Sequence, residues 1–342
     1  MLTNVALAVT WVGLTCYALF AGADFGAGTW DLLAGRATAG ADRRRLIEHS
    51  ITPVWEANHV WLIFVVVMLW TCFPPVFASV MSTLYLPLTL AALGIIARGA
   101  AFAFRKASET FRQRQLFGAL FAASSVLTPF FLGAVAGGIA SGRVPAGIAA
   151  GDPVRSWTGP SSLLGGVLAV LVCAYLAAVY LCADADRSGA PDLAAAFRWR
   201  ALGTGVLTGV VALAGIAVLA ADAPRLYDGL TGRALPLVVF SAVAGVAEFP
   251  LLWWRRYLAA RVVAALAVVA IVWGWGVAQY PTMLEPHLTA AAAVAQPSVL
   301  SATLIVLAVG AVLLVPSLWW LYSLSQRPER TPPPDPPPSP DA

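Results

Sequence analysis

Charge is scarce in this chain. Asp, Glu, Lys and Arg make up 11% of its 342 residues, against roughly 25% in a soluble domain. With 60% apolar side chains and a mean hydropathy of +0.80, a soluble globular protein is excluded. Loops long enough to hold an extramembrane domain are also missing. The net charge of +4 therefore does not point to nucleic acid; it reflects basic residues gathered on one side of a membrane. The four cysteines, Cys16, Cys72, Cys173 and Cys182, fall in or at the ends of apolar runs and have no CxxC spacing. That excludes a zinc framework and a disulfide pair, and it reads as small core residues. No Walker, Rossmann, serine-triad or zinc motif is present.

Histidine is rarer still, with three residues: His49 in a basic connection, His59 at the start of an apolar segment and His287 in a late loop. Axial ligation of a haem inside a helix bundle needs paired ligands at membrane depth, and Met68, Met81 and Met283 offer no partner. A haem held by this chain alone is not expected, nor is a metal.

What the chain has in abundance is apolar runs of about 20 residues, the length that crosses a bilayer. Breaks at charged or Pro/Gly-rich stretches divide it into nine candidate helices near 4–33, 53–73, 76–104, 115–140, 161–183, 199–221, 235–254, 258–280 and 298–322. The expected architecture is all-α and polytopic. Met1 to Asn4 carry no positive cluster and no small-residue cleavage site follows, so the first run reads as a retained span. Sixteen Lys and Arg residues fall in the odd-numbered connections and the C-terminal stretch, against Arg143, Arg155, Arg225 and Arg233 in the even-numbered ones. Basic residues stay in the cytoplasm, which places the N-terminus outside and the C-terminus inside. Trp55, Trp70, Trp157, Trp199, Trp253, Trp254, Trp319 and Trp320 sit near segment ends, as rings anchored at a headgroup boundary do. Residues 1–325 form the membrane domain. Residues 326–342, rich in proline, read as a disordered cytoplasmic tail.

A charge in the hydrocarbon region costs a few kcal/mol, so each one marks a candidate site. There are four: Asp24 in Gly22-Ala23-Asp24-Phe25-Gly26-Ala27-Gly28, Glu56, Arg98 and, less strongly, Glu248. Each lies about 5–15 Å from the cytoplasmic end of its predicted helix. The bland explanation is that they snorkel to the interface or pair with one another, Asp24 or Glu56 with Arg98. Glu56 stands out because Pro53-Val54-Trp55-Glu56-Ala57-Asn58-His59-Val60-Trp61 packs a carboxylate, an amide and an imidazole into one and a half turns. Glu56 and His59, three apart, share a face. Such a set can pass protons inward if water or further polar groups continue the path. The glycines around Asp24 allow close helix approach.

These two stretches, with Ser50-Ile51-Thr52 before the second and Phe73-Pro74 after it, resemble subunit II of the cytochrome bd-type quinol oxidases. The likeness extends to Arg98 and to the nine-span layout, and it covers nearly the whole chain except the proline-rich tail. It implies a multi-pass subunit of a prokaryotic plasma membrane that supports quinol oxidation and reduction of oxygen to water in aerobic respiration. The subunit would lack a catalytic haem, pack against the haem-bearing subunit I and line a proton route from the cytoplasm. Subunit I would hold two b-type haems and a haem d, and small accessory subunits can join. Carried onto this sequence, the resemblance implies Asp24 and Glu56 as proton-route carboxylates, with Asn58, His59 and Arg98 beside them. The family often has Asp-Gly-Asn where this chain has Glu56-Ala57-Asn58, and Gln or Glu at His59. These departures are similar to the cyanide-insensitive branch as much as to the better-known one, so a third b-type haem in place of haem d stays open. Two other readings compete. A proton-coupled secondary transporter would need an inverted repeat and a midplane site, which the sequence does not display. A structural scaffold would leave Asp24 and Glu56 inert on substitution.

Overall fold

The computed structural model describes residues 1–35, 40–108 and 110–325, with the side chains of 51–57, 106, 111, 315, 318 and 321–325 outside that description. Twelve helices follow in order: α1 Leu2–Leu32, α2 Ala41–Cys72, α3 Pro74–Thr83, α4 Tyr85–Ala107, α5 Phe111–Ala140, α6 Pro160–Arg187, α7 Pro191–Asp222, α8 Pro224–Thr231, α9 Leu235–Trp253, α10 Tyr257–Gln279, α11 Ala290–Ala293 and α12 Pro297–Ser325. A short antiparallel hairpin, β1 Thr282–Leu284 with β2 Leu288–Thr289, stands between α10 and α11. Residues 1–295 form one compact unit, and α12 belongs to a second.

Proline and one capping box place many helix starts. Pro74, Pro160, Pro191 and Pro224 open α3, α6, α7 and α8, positions where the missing N–H costs nothing because a helix leaves its first amides unpaired anyway. At α5, the Thr110 hydroxyl accepts from the Gln113 amide at 3.3 Å and the Gln113 side chain accepts from the Thr110 amide at 3.3 Å. After α9 the chain reverses through Arg255 at φ 58°, a left-handed turn made by an arginine.

Among the described residues eight helices are long and apolar enough to cross a membrane, or nine if a bent pair counts as one span. The sequence reading needs correction at that pair. The predicted third span, 76–104, is divided: α3 leaves the line of α2 by 120° at Phe73, and the straight helix begins only at Tyr85. Two prolines after Phe73 stop α2 and start a new helix in another direction. α2 also differs from the predicted 53–73, since it begins at Ala41 and takes in the basic run Arg43-Arg44-Arg45 expected in a connection. Glu56 therefore lies fifteen residues into its helix, about 22 Å from its start, and does not open it. The disordered tail expected at 326–342 lies outside the described residues.

The centre of the first unit is α6, which touches α1, α2, α5, α7 and α10. Small residues let the backbones meet. A Cβ on Gly26 of α1 would overlap the Cys173 carbonyl of α6, and one on Gly133 of α5 would overlap the Gly165 carbonyl. The Trp30 indole of α1 then donates to the Ala174 carbonyl of α6 at 2.7 Å. Lipid tails are as apolar as leucine, so close packing and such bonds are what hold membrane helices together. Cys72, Cys173 and Cys182 are buried and Cys16 half-buried, all as free thiols.

Candidate functional site

Four helices bring polar side chains to one point of the bundle interior. Asp24 of α1 and Arg98 of α4 are both essentially inaccessible, at 0% and 1% exposure. Arg98 Nη2 lies 2.5 Å from Asp24 Oδ1 and 2.9 Å from the Asp24 backbone carbonyl oxygen. Asn58 of α2 donates from Nδ2 to Asp24 Oδ2 at 3.2 Å. Arg98 Nη1 donates to Ser125 Oγ of α5 at 3.0 Å, and the Ser125 hydroxyl donates in turn to the Phe121 carbonyl at 2.7 Å. The guanidinium carbon stands 4.9 Å from the centre of the Phe25 ring and 4.5 Å from that of Phe121. Gly28 makes room for this, since a Cβ there would run into Ser125.

Both oxygens of Asp24 thus have donors, and an arginine does not give up its proton in a protein. The pair is a fixed, mutually neutralising charge, worth keeping only because each half would be costly alone. Two valences stay open beside it among the described residues: Asn58 Oδ1 and Arg98 Nε have no hydrogen-bond partner. His59 is half-buried and near enough to act on Asp24 electrostatically. The Glu56 side chain lies outside the described residues; its backbone is two residues before Asn58 on α2.

Glu248 is not part of this cluster. It lies on α9, which packs on α7, α8 and α10, and neither of its oxygens has a hydrogen-bond partner among the described residues although only 1% of it is exposed. The sequence reading also missed a second ion pair. Asp31 and Arg105 meet at 2.9 Å, Glu48 joins Arg105 at 3.2 Å, and Arg44 approaches Asp31 at 3.6 Å. A signal for it was available. Asp31 follows Asp24 by seven residues and Arg105 follows Arg98 by seven, so each repeats two turns along the same helix face, about 10 Å nearer the end. Arg105 is one-fifth exposed and Glu48 nearly half, so this outer pair is reached by water where the inner one is not.

The donor set does not fit a haem. His49 and His59 lie on one helix ten residues apart, about 15 Å, and His287 lies between β1 and β2, near the Asn4 end of α1. His49 and His59, so far apart along one helix, cannot flank one iron. Among the described residues no three His, Cys, Asp or Glu side chains gather as metal ligands.

The chain is similar to the bd oxidase structure from Geobacillus thermodenitrificans, with a TM-score of 0.77 and 26% identity over 95% of this chain and 98% of that one. It is 28% identical to cytochrome bd ubiquinol oxidase subunit 2 of Bacillus subtilis over 170 residues, 49% of this chain and 48% of that protein. Cytochrome bd-I ubiquinol oxidase subunit 2 of Escherichia coli is 29% identical over 173 residues, 48% of this chain and 44% of that one. The chain thus spans about half the length of these curated relatives. The family model for cytochrome bd terminal oxidase subunit II matches residues 2–325, nearly everything but the proline-rich end. A multi-pass helical bundle with this match is a protein of the cytoplasmic membrane, and the chain belongs to the cytochrome bd terminal oxidase subunit II family.

Proposed function

We propose that this chain is the haem-free half of a quinol:oxygen oxidoreductase, packing as a heterodimer against a subunit I that carries two b-type haems and a haem d or third b-type haem. Quinol oxidation and oxygen reduction take place on that partner. This chain is not catalytic by itself and helps deliver protons from the cytoplasm. The observation that carries the proton role is the inner cluster of Asp24, Arg98 and Asn58, buried, hydrogen-bonded and still holding two open valences. Glu56 and His59, next to Asn58 on α2, supply the exchangeable protons, and the fixed Asp24–Arg98 pair holds Asn58 in place. The outer pair of Asp31 and Arg105, with Glu48, is the water-facing end of the same route. Glu248 stands apart and is left out of it. Family membership gives the transporter and scaffold readings no support.

Expressed alone, the chain should purify without haem and without quinol oxidase activity, and should gain activity only when co-produced with its partner. A reduced-minus-oxidised spectrum of the isolated subunit checks this, and stoichiometric haem would refute it. Orientation follows the same proposal, with the N-terminus outside. A reporter fused near residue 150 should read as external and one at 187–190 as cytoplasmic; the reverse pattern would invert the route.

A further inference from the structure

We propose that the end of the bundle where α7, α9 and α10 meet binds an anionic phospholipid, with acyl chain in a tryptophan-walled groove and phosphate among Arg198, Arg255 and Arg256. The groove is a cleft of about 600 Å³ between α7 and α9, within the size range of small-molecule sites. Trp199, Val206, Phe249, Trp253 and Trp254 are among the residues that form its wall, which is almost entirely carbon. Trp199 and Trp253 meet edge to face at 6.2 Å and remain more than half exposed, as does Trp254. Exposed tryptophans at a helix end belong at the headgroup boundary.

The charge beside the groove is what selects the occupant. Of the nearby arginines, Arg187 and Arg261 both pair with Asp184, and Arg200 turns away from the groove to lie over the Trp30 and Phe197 rings and donate to the Ala196 carbonyl. Arg198, Arg255 and Arg256 form no ion pair among the described residues, and Nε of Arg198 is buried with no hydrogen-bond partner. Arg198 sits 5.7 Å over the Trp199 ring, so cation and groove wall adjoin. Arg255 and Arg256 follow Trp254 directly. Arg198 and Arg255 both act electrostatically on Tyr257; one acid, Asp186, shares that neighbourhood and pairs with none of the three. One cation against the wall of an apolar cleft and two more following its Trp254 in the chain fit a phosphate ester on a hydrocarbon chain. Basic pockets between helices at the membrane surface hold lipid headgroups in this way.

The turn offers a clean test. Arg255 holds φ 58°, with its amide on the Leu252 carbonyl at 3.2 Å and the Arg256 amide on Leu251 at 2.8 Å. That is the end of a helix where glycine is usual, and an arginine adopts it only at a cost. Arg255→Gly therefore relieves the backbone while removing a charge, so loss of binding cannot be blamed on misfolding. The proposal rests on the membrane family alone and not on the proton route. The complete complex containing this chain would be purified, stripped with detergent and re-equilibrated with phosphatidylglycerol or phosphatidylcholine, and bound lipid counted by native mass spectrometry. The wild type should retain phosphatidylglycerol at least fivefold over phosphatidylcholine. Arg255→Gly should cut that preference at least threefold without lowering Tm, and Arg198→Gln with Arg255→Gly and Arg256→Gln should abolish it. Arg233→Gln, at the other end of the bundle, should leave it unchanged. Equal retention of the two lipids by the wild type would overturn the proposal, as would an undiminished preference in Arg255→Gly. Displacement of phosphatidylglycerol by glycerol phosphate alone, or loss of a co-purifying polypeptide in place of lipid, would do the same.

Discussion

Arg98→Leu should remove most of the folded, membrane-integrated chain. The substitution leaves the Asp24 carboxylate at 0% exposure with only the Asn58 amide for company. Breaking a buried pair by deleting one partner costs about 3–5 kcal/mol. Whole domains are stable by about 5–15 kcal/mol, so the loss is a large fraction of the total. Arg98→Lys should recover part of it, because an ammonium can pair with Asp24 but cannot also reach Ser125 in the fixed fork of a guanidinium. Replacing both members by leucine should recover more, since an apolar pair of similar volume avoids burying charge at all. Oxidase turnover is the readout that separates the two roles. If Asp24 and Arg98 position the proton-carrying groups, the double leucine variant should assemble with haem and still turn over slowly. A thermal-unfolding series in detergent, with turnover per haem beside it, makes both measurements. Unchanged stability in Arg98→Leu would show that the pair does not hold these helices.

Glu56→Gln should lower quinol-driven oxygen consumption at least tenfold, about 1.4 kcal/mol on the barrier, with assembly and haem content intact. The change keeps the size and hydrogen-bonding capacity of the side chain and removes its acidic proton. Glu56→Asp should keep more activity, because the resemblance implies that an aspartate often stands at this position. An idle charge predicts near-normal turnover in both variants, and a structural one predicts loss of the complex. Normal turnover per haem in Glu56→Gln would take this residue out of the route. Glu56 sits fifteen residues into α2, so on the proposed route protons would reach it past the helix end that carries Glu48 and the outer Asp31–Arg105 pair. Asp31→Asn should then slow turnover less than Glu56→Gln, since Glu48 offers a second acid at the surface.

Apolar run length made the long helices legible, because a span must satisfy every backbone group internally and announces itself as unbroken hydropathy. Six of the nine predicted spans match their helices to within about four residues, and 53–73 and 199–221 begin late because their helices start in polar stretches, at Ala41 and Pro191. The span 76–104 differs more, because Pro74 and Pro75, taken as a gap between two spans, start a short helix at 120° to its predecessor. Hydropathy carries no directional information, so a bend between two apolar segments is invisible to it. Asp24, Asn58 and Arg98 were legible as isolated polar residues in apolar surroundings, where a charge is rare enough to signal itself.

Their mutual arrangement was not legible. Asp24 is 74 residues from Arg98 and 34 from Asn58, and pairing across such separations depends on which faces of α1, α2 and α4 turn toward one another. Glycine contacts such as Gly26 against Cys173 and Gly28 against Ser125 decide that rotation. Composition alone determined that the chain spans a membrane as a helical bundle and that its few charges matter, because the cost of a charge in hydrocarbon is a local property. Only the tertiary structure decided that Asp24 takes Arg98, that Asp31 takes Arg105 and that Glu248 takes neither, because the partner of a buried charge is chosen by helix packing, which no single helix encodes.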